Sequence, residues 1–285
     1  MAPPSESSVS RSGSPATEIL NAFTVDLEDW FCVGNMESIY PPSSWSEQEL
    51  RIECPVAWLL ELLSKHGVRA TFFVLGWIAE RCPELVRKIY NAGHEIGIHG
   101  YEHKRITSMT RETFEADLQR AFEAVIKIMP REAVVGYRAP SFSIVEKTAW
   151  VFESLASFGL KYDSSIVPFS GHPDYGWKGA LNMIHRLPQG IVEVPMTPGF
   201  GGGYFRLFPA ALSGYIAKRA NRSGRPAIFY IHPWELDPEQ PRIRLPYLKY
   251  FRHYINLNKT KPRLEWLLSA FRFGSIGEVL KANGF

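Results

Sequence analysis

Cysteine is scarce in this chain, and long apolar runs are missing. Three cysteines occur in 285 residues, Cys32, Cys54 and Cys82. The number is odd and no Cys-x-x-Cys is present, which excludes a disulfide framework and predicts reduced thiols. No stretch of about 20 apolar residues exists, so no transmembrane helix is expected. Charge of one sign is not in excess. Lys and Arg number 32 against 29 Asp and Glu, a net charge of +3, which does not indicate a nucleic-acid binder. Met1 to Thr17 is rich in Ser and Pro but has no apolar segment of the kind a signal peptide needs. Residues 1–18 are therefore expected to be a disordered tail, and the protein to be cytoplasmic.

What is present fits a globular domain. Apolar residues make up 45% and charged residues 21% of the chain, ordinary for a folded domain. An α/β barrel of this length commonly stays undivided. Short apolar runs bounded by turn residues predict strands at Ala22–Asp26, Ala70–Leu75, His94–Ile98, Val134–Arg138, Leu160–Asp163, Ile191–Pro195 and Ala227–His232. Helical segments are predicted between most of them. One runs from Pro55 to His66, one opens at Pro83 and stops at Gly93, one is capped by Thr110 and reaches about Met129, and one spans Glu146–Phe158. A further helix starts at Pro209. Strands alternating with helices argue for parallel βα units. Seven of them predict a barrel one strand short of eight over residues 19–240, followed by a basic helical extension over residues 241–285. Residues 34–53 read as an irregular insertion, and Gly199–Gly203 as a mobile loop.

The chain's centre of gravity is His94-Glu95-Ile96-Gly97-Ile98-His99-Gly100-Tyr101-Glu102-His103. His99 and His103 stand four apart at the end of a short strand, a spacing from which one turn of chain brings two imidazoles to one ion. A catalytic metal site wants a third protein ligand and an open position. Near the first strand, Asp26, Glu28 and Asp29 place three carboxylates beside Trp30 and Phe31, which would be costly in a core unless paired or bound to metal. Asp26, His99, Arg138, Asp163 and His232 all fall at or one step past a predicted strand's C-terminal end. That end of an α/β barrel carries the chemistry, and core packing gives no reason for polar residues to collect there. His94 reads as a positioning neighbour.

These segments resemble the polysaccharide deacetylases of carbohydrate esterase family four, the NodB-homology fold. The resemblance runs from about residue 20 to 240 and rests on HEIGIHGYEH, GYRAPSFSI and FYIHPWELDP. The acidic motif reads TVDLEDW where the family commonly has TFDDG. That variant, with GGGYFR and the basic tail, is similar to a branch linked to bacterial exopolysaccharide synthesis and exosortase systems. The resemblance implies a distorted (β/α)7 barrel, in line with the seven strands.

It also implies roles. Asp26 matches the family's catalytic base, Arg138 the arginine that holds it, and His232 the general acid. His99 and His103 match the metal histidines. The metal carboxylate has two candidates: Glu28, which an extended chain turns to the same face as Asp26, and Asp29, if the chain turns early. Zinc is the expected divalent cation for such a ligand set, with nickel or cobalt able to take the same ligands. The implied reaction is hydrolysis of an N-acetyl group on a glycan or lipid-linked glycan, with a backbone N–H near Tyr137 to Ser141 stabilising the oxyanion. Pro140 lies in the same motif. Asp163 could bond His232 or a sugar hydroxyl, or equally make a simple strand-end turn, while Tyr204, Phe205 and Trp234 could stack on sugar rings or pack in the core. Other amide or cyclic-imide hydrolysis on this scaffold, and glycan binding without turnover, are the competing readings. Seven basic residues and no acid between Arg242 and Arg263 suggest a solvated face or contact with an anionic membrane surface.

Overall fold

The computed structural model describes residues 19–169 and 175–285. The tail expected over residues 1–18 lies outside them. All seven expected strands are present, as β1 (Asn21–Leu27), β2 (Thr71–Val74), β3 (Glu95–Ile98), β4 (Val134–Tyr137), β5 (Tyr162–Asp163), β7 (Val192–Glu193) and β8 (Ile228–Ile231). They stand in the order β7-β5-β4-β3-β2-β1-β8, and every pairing among them is parallel. The sheet gains two short strands that sequence patterning missed. β6 (His185–Arg186) runs antiparallel to β7 at the edge, and β9 (Phe273–Gly274) pairs with the start of β1. Two-residue strands carry too little periodicity to be read.

The sheet curls into a distorted (β/α)7 barrel. Past β8 the ring is completed by the chain that follows β7. Gly201 makes a parallel bridge to Tyr230, and the Ile228 N–H donates to Thr197 Oγ1 at 2.9 Å. Gly201 sits at φ 139°, and a Cβ there would overlap the Tyr230 backbone, so the closure depends on glycine. The glycine-rich stretch is accordingly not a loose loop: it opens α6 (Gly202–Leu207). The segment beyond residue 240 is tied to the barrel through β9, so the sheet draws on both sides of that boundary.

Helices cover the barrel. In chain order they are α1 (Glu53–Lys65), α2 (Gly76–Arg81), α3 (Pro83–Asn91), α4 (Arg111–Ile126), α5 (Val151–Ser157), then α6, α7 (Ala210–Arg222), α8 (Tyr247–Tyr254), α9 (Leu257–Ala270) and α10 (Ile276–Ala282). Thr110 caps α4 through a reciprocal box with Thr113, satisfying end N–H groups that would otherwise be orphaned. The apolar stripe Phe114, Leu118, Phe122 and Val125 of α4 is buried. The single helix expected over 146–158 is instead a tight turn at Glu146–Thr148 followed by α5.

Close packing of α2 on α4 makes one test of this arrangement. A Cβ on Gly76 would lie 2.7 Å from the Ala121 Cα. Although alanine is the better helix former, Gly76→Ala is expected to destabilise the fold by about 1–3 kcal/mol through overpacking. Urea denaturation at constant m-value checks this; an unchanged or raised midpoint would contradict it.

Candidate active site

The C-terminal ends of the strands converge, and Arg138 is the residue they converge on. It follows β4 directly and is fully buried. Its N–H donates to the Ile98 carbonyl (2.9 Å), extending the β3–β4 ladder by one bond. Its Nη1 donates to Asp26 Oδ1 (2.8 Å) and to Thr24 Oγ1 (2.7 Å). Nε donates to the Ser164 carbonyl and Nη2 to Ser164 Oγ. The guanidinium lies over the Phe73 ring, 4.2 Å from its centroid. A buried cation needs this many acceptors. Thr24 accepts from Arg138 and donates onward to the Phe229 carbonyl, so three strands are stitched through one side chain.

The carbonyl of Arg138 has a second task. It lies 2.8 Å from His99 Nδ1. A carbonyl can only accept, so Nδ1 carries the hydrogen and Nε2 is left to face the cleft. There, Nε2 of His99 is 2.9 Å and Nε2 of His103 is 3.1 Å from Glu28 Oε1. Between the two histidines the chain turns at Gly100 (φ 72°), and His103 itself is left-handed at φ 54°. This conformation is costly for a residue with a Cβ and is commonly kept where function needs it. The turn is pinned by Asp117, which accepts from the Tyr101 N–H (2.9 Å), and by Pro140, which packs against Gly100.

Glu28, His99 and His103 offer three ligand atoms all within 4.8 Å of one another. One carboxylate and two imidazoles suit a divalent cation such as zinc. Burial opposes charge on Glu28, but the neighbouring His103 and His232, with a hydrogen bond from His103, hold its carboxyl well below the usual range. The other carboxylate considered, Asp29, is turned away. Its Oδ1 accepts from the Trp30 N–H, and its Oδ2 from the N–H groups of Arg51 (2.7 Å) and Ile52 (3.1 Å). It therefore holds the entry to α1, and burial raises its carboxyl to about 6.

His232, one step past β8, stands on the other side of Asp26, with Nε2 3.8 Å from Asp26 Oδ2. Its Nδ1 lies 2.7 Å from Glu235 Oε1, which also accepts the His232 N–H. Glu235 Oε2 in turn accepts from Arg206 Nε. Burial works against a charge on His232, but Glu28, then Glu235 and Asp26, outweigh it and raise the imidazole to about 9. Glu235 is itself held down at about 2; burial opposes this, and Arg206 and His232 overcome it. Trp234 stacks on His232, and His253 stacks on Trp234 at 4.3 Å and 3°.

A cleft of about 360 Å³ opens over these groups, lined by Asp26, Glu28, His99, His103 and His232 together with the aromatic walls Phe142, Tyr204, Tyr230 and Trp234. Tyr204 and Trp234 are thus at the site as expected. Phe205 is buried against Phe229 instead. Tyr137, Pro140 and Asp163 are not in the cleft. Tyr137 packs against Phe114 of α4, because neighbouring strand residues point to opposite faces and Arg138 takes the inner one. Asp163 accepts from the Ser165 N–H and hydroxyl, and Ser165 Oγ accepts the Ala139 N–H. Its role is to hold the loop after Arg138, not to reach His232. Burial raises it to about 6. The N–H groups of Arg138 and Ala139 are spent on Ile98 and Ser165, so of the stretch expected to supply an oxyanion donor, Ser141 is the residue that lines the cleft.

Sequence reasoning missed Thr24, Glu235 and Arg206. Glu235 had a signal, since an acid three residues past a polar strand-end residue is a capping-box pattern. Arg206, 29 residues before its partner, had none.

The shift on His232 fixes a sign. With a folded-state value raised from 6.5 to about 9, its contribution to stability is full below pH 6.5 and is lost as pH rises through about 9. Glu235→Gln removes one source of the shift. In the metal-free variant the His232 titration midpoint, followed by NMR, is expected to fall by about one unit or more. The loss of urea resistance between pH 6.5 and 9 should shrink with it. An unmoved midpoint would contradict the pairing.

Residues 53–162 match the family model described as polysaccharide deacetylase, and residues 164–281 match a domain of unknown function, DUF3473. The chain is 33% identical over 163 residues to a peptidoglycan deacetylase of Helicobacter pylori, covering 56% of this chain and 54% of that protein. It is 31% identical over 148 residues to a peptidoglycan-N-acetylglucosamine deacetylase of Bacillus cereus, covering 50% of each. The chain thus spans about half the length of the curated relatives it matches. In fold it is similar to a crystal structure from Mycobacterium smegmatis described as a candidate polysaccharide deacetylase, with a TM-score of 0.64, 21% identity and coverage of 95% of this chain and 92% of that one. Residues 53–162 thus belong to the polysaccharide deacetylase family, and the chain as a whole shares the fold of the NodB-homology group of carbohydrate esterase family four.

Proposed function

We propose that this protein removes N-acetyl groups from amino sugars of a polysaccharide or its lipid-linked precursor, as a metal-dependent amide hydrolase. The observation that carries the reading is the placement of a carboxylate and an imidazole, Asp26 and His232, beside the Glu28–His99–His103 cluster in one cleft. The deacetylase names of the relatives support it. A divalent cation held by Glu28, His99 and His103, with zinc the natural choice, would polarise the acetyl carbonyl and lower the pKa of bound water toward about 7.

The chain's own residues do the rest. Asp26, with Oδ1 fixed by Arg138, uses its other oxygen to accept the proton of the attacking water. His232, charged while paired with Glu235, keeps a proton on Nε2 and delivers it to the leaving amine. Asp26 and His232 thus divide base and acid between two neighbouring side chains with opposite charge preference. The faces of Tyr204, Tyr230 and Trp234 along the cleft suit the apolar side of a pyranose ring. The reading includes a cytoplasmic site of action, which the free Cys32, Cys54 and Cys82 support.

Acetate release from N-acetylated chito-oligosaccharides tests this together with metal content. Asp26→Asn should lower turnover by about 10²–10⁴-fold with bound zinc unchanged. His99→Ala and Glu28→Ala should lose the metal, whereas Asp29→Asn should keep it. Near-normal turnover in Asp26→Asn would remove Asp26 as the base, and metal loss in Asp29→Asn with retention in Glu28→Ala would reverse the ligand assignment.

A further inference from the structure

The mouth of the cleft carries a surface that the chemistry does not use. On α8, six successive residues are exposed, Tyr247-Leu248-Lys249-Tyr250-Phe251-Arg252. Tyr247 is 79% and Leu248 71% exposed, so they protrude and do not wall a groove. Phe251 and Arg252 reach the cleft rim, where Leu207 at the end of α6 also stands, and Phe208 beside it is exposed as well. α6 and α8 pack together, so this is one continuous apolar rim. The two stretches of chain that form it carry no acid: neither residues 194–234 nor residues 240–264 contain an Asp or Glu.

The basic tail does not act along its whole length. Arg263 donates to the carbonyls of Phe205 and Arg206, and Lys261 lies over the Trp58 ring. On α8 itself, Lys249 and Arg252 are exposed beside apolar side chains.

We propose that this rim seats on an anionic lipid bilayer, with Tyr247, Leu248 and Phe251 entering the boundary between headgroups and acyl chains, so that the cleft opens onto glycan carried at the membrane surface. The substrate half of this statement rests on the deacetylase reading; the docking half does not. Protruding aromatic and aliphatic side chains interleaved with Lys and Arg are what an interfacial helix presents. Basic residues next to such a helix add attraction to anionic headgroups. A second copy of the chain is a poor occupant, because the exposed cations of α8 would meet their own like charge.

Co-sedimentation of the full chain with vesicles tests the docking without turnover. Wild type should bind mixed phosphatidylglycerol–phosphatidylcholine vesicles at low salt, bind phosphatidylcholine alone far less, and lose on the order of tenfold in affinity as salt rises toward molar concentration. Tyr247→Ser/Leu248→Ser, and separately Lys249→Glu, should each weaken vesicle binding by about tenfold while leaving acetate release from soluble chito-oligosaccharides unchanged. The proposal is overturned if wild type ignores anionic vesicles, if it binds both vesicle types equally, or if Tyr247→Ser/Leu248→Ser binds as wild type. A concentration-dependent dimer that this double variant abolishes would also overturn it, by giving the face to a second copy. A chain that binds vesicles but releases no acetate from any N-acetylated glycan would instead count against the deacetylase reading alone.

Discussion

The ion pair between Arg138 and Asp26 is the constraint on which the site's geometry depends. A guanidinium with no exposed surface must have its donors met, and the partners that meet them come from β1 and from the chain after β5. The same residue's carbonyl selects the tautomer of His99. One backbone position therefore sets both the orientation of the carboxylate and the nitrogen that faces the metal cluster. Removing the side chain would leave Asp26 buried without its cation, which is why a lysine, with three donors and no planar fork, is not an equivalent replacement.

Much of this was legible in the sequence, and the reasons are physical. Seven apolar runs gave seven parallel strands because buried parallel strands read as near-continuous apolar segments. Polar residues at their ends marked the cleft because nothing in a core calls for them. Glu28 could be favoured over Asp29 from the two-residue period of extended chain. In the structure Asp29 accepts three backbone N–H groups, while Glu28 is the carboxylate beside the two histidines. Period also explains a failure. Tyr137 and Arg138 are adjacent in an extended segment and cannot both face inward, so Tyr137 belongs to the α4 layer. Asp163 stands at a strand end but spends its oxygens on Ser165, a local turn bond that competes with any outward role.

What sequence could not supply was the support of His232 from far along the chain. Arg206, on α6, donates to Glu235 and to the carbonyls of Arg252, His253 and Ile255 at the end of α8. The acid is thereby tied to the segment beyond residue 240. That segment also returns to the sheet through β9, so it is part of the barrel's construction as well as its surface. The helix whose inner end takes these hydrogen bonds is the one whose outer face is apolar and basic.

The cluster formed by Glu28, His99 and His103, with Asp26 left free beside it, is most directly tested by anomalous diffraction at the zinc edge from crystals grown with zinc. The predicted result is one peak about 2.0–2.2 Å from Glu28, His99 Nε2 and His103 Nε2, with Asp26 still paired to Arg138 and not bound to the ion. A peak coordinated by Asp26 or Asp29 in place of Glu28, or no peak within reach of the two histidines, would contradict it.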